Sequence, residues 1–176
     1  MRHLKTVGPV PILWDRGALA PPWAPRLGLG ELLAAAEATT ELMLDLKGRD
    51  VRLSGHVAAA LAEHCPGRPV TVCSQRWELL EPLADVPGVR VVHSVGNLRQ
   101  LAALRRRFPG ERLKGISIHR RLLDARIVDE LRARSELVMS WPVDSPDQAT
   151  RLAEWGVQGL ITSRVDELAS MKVVAA

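Results

Sequence analysis

Asp45 and Lys47 interrupt a run that otherwise reads Leu42, Met43, Leu44 and Leu46. In an extended chain, residues two apart project to the same side, so a carboxylate and an ammonium share one face of a strand. Burying either charge costs free energy unless it is paired or meets a ligand. The pair is therefore either an ion pair at the exposed end of a strand or part of a binding site, and the second reading is carried forward.

A wider pattern supports it. Ser74, His93 with Ser94, His119, Ser140 with Trp141, and Thr162 with Ser163 each follow a short apolar run. If those runs are parallel strands, their polar ends gather on one rim, where α/β barrels and open α/β sheets bind ligands. Thr162-Ser163-Arg164 carries donors suited to phosphate. Each of these residues taken singly is more simply a polar strand end, so it is their joint placement that carries weight.

Other chemistries find little support. Arg105-Arg-Arg107 sits at the end of an amphipathic segment, where cations suit the helix dipole. With Arg120-Arg121 it makes a weak case for nucleic acid, and none is expected as a partner. Trp14, Trp23, Trp77, Trp141 and Trp155 follow no helical or strand period, so no base-stacking platform emerges. Cys65 and Cys73 stand eight positions apart with no metal-ligand spacing, which suits a reducing, cytoplasmic setting. No phosphate-binding glycine loop, dinucleotide fingerprint or G-x-S-x-G is present.

The elements that must position these residues alternate. Apolar runs at Glu41 to Lys47, Pro69 to Ser74, Val89 to His93, Gly115 to His119, Glu136 to Trp141 and Val157 to Thr162 read as six strands. Amphipathic segments at Val51 to His64, Gln75 to Val86, Asn97 to Phe108, Asp124 to Arg134 and Ser145 to Trp155 predict helices between them. The last has an N-cap at Ser145, Pro146 at the first helical position, Gln148 to complete a capping box, and Gly156 to stop it. A further helix is expected from about Gly28 to Thr39, after the Pro-rich Ala20 to Pro25. This is the βα repeat of a parallel sheet, hence the α/β class.

At 176 residues the chain favours a single domain. Its 47% hydrophobic and 25% charged residues are those of a folded globular chain, and the formal charge of +4 is modest. No apolar run is long enough to span a bilayer, and Val7 to Trp14, cut by Gly8, Pro9 and Pro11, offers no signal-peptide core.

Four segments together resemble the glycerophosphodiester phosphodiesterase family. Pro25-Arg-Leu-Gly-Leu-Gly-Glu-Leu-Leu33 is similar to its Pro-Thr-Leu-x-Glu-x-Leu, and Leu44-Asp-Leu-Lys47 stands where the family has Glu-x-Lys. Trp141-Pro-Val-Asp144 resembles Trp-Thr-Val-Asn. Gly156-Val-Gln-Gly-Leu-Ile-Thr-Ser163 resembles Gly-Val-Asp-Gly-Ile-Ile-Thr-Asp, the most specific match. The resemblance implies a TIM-type (β/α) barrel, incomplete here at about six strands, and hydrolysis of deacylated phospholipids to an alcohol and glycerol 3-phosphate. It implies Asp45 as a metal ligand for Mg or Ca, Lys47, Trp141, Thr162 and Ser163 as substrate-binding groups, and a small-molecule phosphodiester as partner.

The family's His-Arg-Gly and Glu-x-Asp motifs are absent from these residues and would lie upstream of Met1. Gly8-Pro-Val-Pro-Ile-Leu-Trp-Asp15 looks like the family's short insertion, with Trp14 in the position of its catalytic His. No catalytic residue is therefore assigned, Asp45 replaces a Glu and Ser163 replaces an Asp. The expected state is a phosphodiesterase-like protein with weak metal binding and impaired catalysis, and the rival is a non-catalytic phosphate-binding or assembly protein. Sheet edges left by absent strands are expected to pair copies into a homo-oligomer.

Overall fold

The computed structural model describes residues 3–7, 10–14, 28–37 and 40–168, the first two stretches as backbone only. The Pro-rich Ala20 to Pro25 and Trp23 lie outside them. The chain divides into two compact units, residues 2–92 and residues 93–176.

The first unit opens with a hairpin of β1 (His3–Val7) and β2 (Val10–Trp14), which sequence patterning did not mark as strands. Pro11 is tolerated because, among the described residues, β2 pairs with β1 alone, so its missing N–H breaks no central ladder. After α1 (Leu29–Ala35) comes β3 (Leu42–Lys47), which pairs in parallel with β1 through Leu4↔Leu46 and Lys5↔Lys47. One of the sheet edges expected to lie open is thus occupied by the chain's own N-terminal segment.

The first crossover is α2 (Arg52–His64), leading to β4 (Val70–Ser74) parallel to β3. Leu53, Val57 and Leu61 recur every fourth residue and form its buried stripe. Buried Ser54 donates its hydroxyl to the Leu79 carbonyl at 2.6 Å, fastening α2 to the following connection. A side chain at Gly30 of α1 would come within 2.5 Å of the His64 ring, so glycine lets α1 and α2 approach closely.

The helix expected over Gln75 to Val86 does not form. Two 3-10 turns, Trp77–Leu79 and Glu81–Leu83, replace it. Pro82 lacks the N–H that would bond residue 78, and its ring would clash with that carbonyl. Trp77, Leu79, Leu80 and Leu83 still reach the core, which explains the apolar periodicity.

β5 (Val89–Val95) runs across the division between the units. In residues 93–176 its end pairs in parallel with β6 (Ile116–His119), then β7 (Val138–Trp141) and β8 (Gly159–Leu160). Helices α3 (Leu98–Arg107), α4 (Ala125–Arg134), α5 (Pro146–Glu154) and the short α6 (Val165–Leu168) follow these strands in turn. Asn97, Asp124 and Ser145 cap α3, α4 and α5 by accepting from the third residue onward. The capping box at Ser145 is only half made, since Gln148 Oε1 is buried with no partner among the described residues. Gly156 ends α5 at φ +92°, a left-handed conformation that favours glycine.

Candidate functional site

On β3 the alternation of side chains places Asp45 and Lys47 together, opposite the buried Leu44 and Leu46. Lys47 Nζ lies 2.6 Å from Asp45 Oδ2. Asp45 is buried at 7% exposure, while the Lys47 side chain keeps 39%. The first of the two readings, an ion pair, is therefore present, with the lysine side chain partly exposed.

Among the described residues no three His, Cys, Asp or Glu side chains are grouped so as to hold a metal ion. A divalent cation seeks several oxygens, whereas here it would find one carboxylate already paired with an ammonium. The described residues do not fit a divalent-cation site. Trp14 closes β2 opposite His3 in the backbone register.

In residues 93–176 the expected polar rim separates into two faces. The register aligns Ser94 with Ser117 and Met139 with Gly159, and His119 with Trp141, all on one side. His93, Ser140 and the apolar Ile116, Ile118 and Val138 project to the other. His93 packs edge-on against Phe108 at the end of α3, with ring centres 4.9 Å apart. Burial pushes its imidazole down to about 4, opposed by a hydrogen bond with the Gly115 backbone and reinforced by Arg107. His93 is thus a neutral residue of the helix-facing layer, not part of a rim with Ser94 and His119. Ser140 likewise lies buried on that side.

Thr162 and Ser163 converge on Asp144, a residue the motif Trp141-Pro-Val-Asp144 contains and sequence reasoning gave no role. The Thr162 hydroxyl donates to Asp144 Oδ1 at 3.3 Å, and Ser163 donates to it from both N–H and hydroxyl at 3.2 Å. The Arg164 N–H donates to Thr162 Oγ1 at 2.8 Å and its guanidinium to the Asp144 carbonyl at 3.4 Å. The loop after β8 is fixed by these bonds, and a phosphate drawing on the same hydroxyls would have to displace the carboxylate.

His119 and Trp141 meet edge to face, ring centres 5.0 Å apart. His119 Nδ1 accepts the Arg121 N–H at 3.2 Å. Burial, Arg121 and Arg120 all push its pKa below the ordinary value, so the ring is neutral at pH 7. Since Nδ1 accepts, the proton sits on Nε2, and the ring presents a donor there.

No protein-family model matches this sequence, and no curated protein matches it in sequence. Solved structures do match in fold. One is a phosphodiesterase of Oleispira antarctica in complex with the product sn-glycerol-3-phosphate, at TM-score 0.65 and 18% identity over 78% of this chain and 57% of that one. A glycerophosphodiester phosphodiesterase from Parabacteroides distasonis matches at TM-score 0.70 and 16% identity over 92% of this chain and 77% of that one. Another, from Thermotoga maritima, matches at TM-score 0.65 and 13% identity over 80% of this chain and 62% of that one. The chain thus spans about three fifths of the Oleispira and Thermotoga proteins. These likenesses show the fold: an α/β chain of the TIM-barrel type, incomplete, with six parallel strands, β3 to β8, and flanking helices.

Proposed function

We propose that the 176 residues form a single glycerophosphodiester phosphodiesterase-like domain that binds a small phosphodiester and hydrolyses it at no more than a trace rate. The observation that carries this reading is the coincidence of the fold with the strand-end residues of β3 and β7: Asp45 and Lys47 share one face, and Trp141 ends the strand that leads to Asp144. Within residues 2–92 Lys47 is the cation that would meet a phosphate, and within residues 93–176 the Trp141 ring is the apolar face that would meet the carbons of a glycerol, each by itself. Thr162 and Ser163 set the loop after β8 through Asp144 and reach a ligand only if that contact opens.

Impaired chemistry follows from the residue types. A phosphodiester needs a general base and a general acid, each worth ~10²–10⁴-fold. Trp14 cannot transfer a proton near neutral pH, neutral His119 presents a donor rather than a base, and His93 faces the helices. Asp45 is held by Lys47, so added Mg²⁺ or Ca²⁺ should change little. The second reading, a phosphate-binding protein without catalysis, is favoured by that same ion pair.

The test is hydrolysis of glycerophosphocholine with and without excess Mg²⁺ or Ca²⁺, beside equilibrium binding of glycerol 3-phosphate. Saturable binding weakened by Lys47→Met, with hydrolysis at background, supports the proposal. Robust hydrolysis lost on changing Asp45 or Lys47 would mean a complete site. Absence of binding would remove the phosphodiester reading.

A further inference from the structure

Helix α3 has the sequence Leu-Arg-Gln-Leu-Ala-Ala-Leu-Arg-Arg-Arg, with four arginines and no acid. With the connection that follows, residues 98–114 hold Arg99, Arg105, Arg106, Arg107, Arg112 and Lys114 against Glu111 alone. Six cations less one acid give a formal charge of +5 where the whole chain has +4, so the net positive charge resides in this stretch. The end of a helix favours cations, yet this end is already served, because Arg134 of α4 donates to the Phe108 carbonyl at 2.6 Å. Arg105 is taken by Glu130 at 2.6 Å, Lys114 by Glu136 at 2.9 Å, and Arg107 lies over the Phe108 ring, 5.7 Å from its centre. Arg99, Arg106 and Arg112 are exposed, and their side chains have no ion pair or hydrogen bond among the described residues.

The helix orders this charge. Buried Leu101 and Leu104 mark its inward side. At about 100° and 1.5 Å per residue, Arg99 and Arg106 fall opposite them in one line, roughly 10.5 Å apart. Only the short Ala102 and Ala103 stand between, so a flat surface can touch both guanidinium groups. Leu98, 69% exposed, adds apolar area beside Arg99.

We propose that the outward side of α3 rests on an anionic phospholipid surface, with Arg99 and Arg106 against the headgroups. Crowded like charges at Arg105 to Arg107 repel one another, and an anionic surface lowers that cost. The same stripe has no aromatic ring to stack on a base, and its neighbour Gln100 is engaged by the Gly96 N–H at 2.7 Å, so little remains to read nucleic acid. A field of lipid headgroups needs only cations and tolerates an exposed leucine, and each basic side chain near it gives roughly a 5-fold gain in affinity. The surface lies within residues 93–176 and does not depend on the phosphodiester reading.

The test is co-sedimentation of the full chain with phosphatidylcholine vesicles, pure or containing about one third phosphatidylserine, at low and high salt. Binding should require phosphatidylserine and fade with salt. Arg99→Gln combined with Arg106→Gln should weaken it roughly 25-fold. Arg99→Lys combined with Arg106→Lys should keep most of it, because headgroups read charge rather than a guanidinium fork. Removing two exposed arginines elsewhere, by Arg90→Gln with Arg151→Gln, should change it little. Thermal unfolding of each variant confirms that it is folded.

A folded Arg99→Gln, Arg106→Gln variant that binds as tightly as the parent overturns the proposal. So does an equal loss from the Arg90 and Arg151 pair, which would mean that net charge alone is sensed. Equal binding to pure phosphatidylcholine, or no binding to either vesicle at low salt, would also overturn it. Preference for a short RNA duplex over the phosphatidylserine vesicles at the same salt would assign the face to nucleic acid instead.

Discussion

On β3 the buried carboxylate of Asp45 meets an ammonium, whereas after β7 the carboxylate of Asp144 meets three neutral donors from Thr162 and Ser163. The first arrangement stores charge on both partners. Removing one takes from the other its ion-pair partner, and an incoming anion must compete with Asp45 for Lys47. In the second, one charge is spread over hydroxyl and backbone donors, so any single substitution leaves most of the bonds in place. On the proposed reading the β3 pair exchanges one anion for another, while the Asp144 cluster holds a loop. His119 and Trp141 differ from both, a neutral pair of rings in edge contact, with His119 Nδ1 accepting the Arg121 N–H.

Acid should separate the two units most strongly. His93 has its pKa depressed to about 4 in the fold against 6.5 when unfolded, so between those values the unfolded chain binds more protons. Stability is then full above pH 6.5 and falls as the pH drops towards 4, by about 3 kcal/mol. Denaturant titrations across that range should show the loss in residues 93–176, and His93→Gln should flatten it. A profile unchanged by that substitution would mean that His93 is not the group responsible.

Breaking the β3 pair comes next. Lys47→Met leaves Asp45 buried opposite an apolar chain and should cost about 1–3 kcal/mol, below the range for fully buried pairs because Lys47 is partly exposed. Adding Asp45→Leu should return much of that stability while abolishing anion binding. A double variant no more stable than the single one would show that the carboxylate has other essential work.

Smaller effects are expected at the cluster. Asp144→Ala should cost about 1–2 kcal/mol by freeing three donors, and Asp144→Asn only a few tenths because its oxygen still accepts. Proteolysis between Ser163 and Val165 should accelerate in the alanine variant alone. Equal effects of the two substitutions would show that charge, rather than the acceptor, sets the loop.

How far this was legible in sequence depends on the range of the forces involved. The caps at Asn97, Asp124 and Ser145, the α2 stripe and the shared face of Asp45 and Lys47 are local, set within three or four residues. Six apolar runs became strands for the same reason. The segment over Gln75 to Val86 misled because burial of Trp77 and Leu83 imitates a helical period while Pro82 prevents the helix. The β1 to β2 hairpin was hidden by Gly8, Pro9 and Pro11, which read as breakers until β2 is seen to pair on one side only. The separation of His93 from Ser94 and His119 depends on register between strands, which no single strand encodes. Asp144 found its partners eighteen residues onward, and the Arg121 N–H that fixes the His119 tautomer comes from the turn after β6.

The central claim is that the chain retains the means to hold a phosphodiester and not the means to cleave it quickly. Calorimetric titration with glycerophosphocholine tests both halves at once, since binding gives a saturating heat and turnover gives heat that continues after each addition. The account predicts a saturable isotherm weakened in Lys47→Met, with each injection returning to baseline. Sustained heat that disappears in Lys47→Met, or no saturable heat at all, would contradict it.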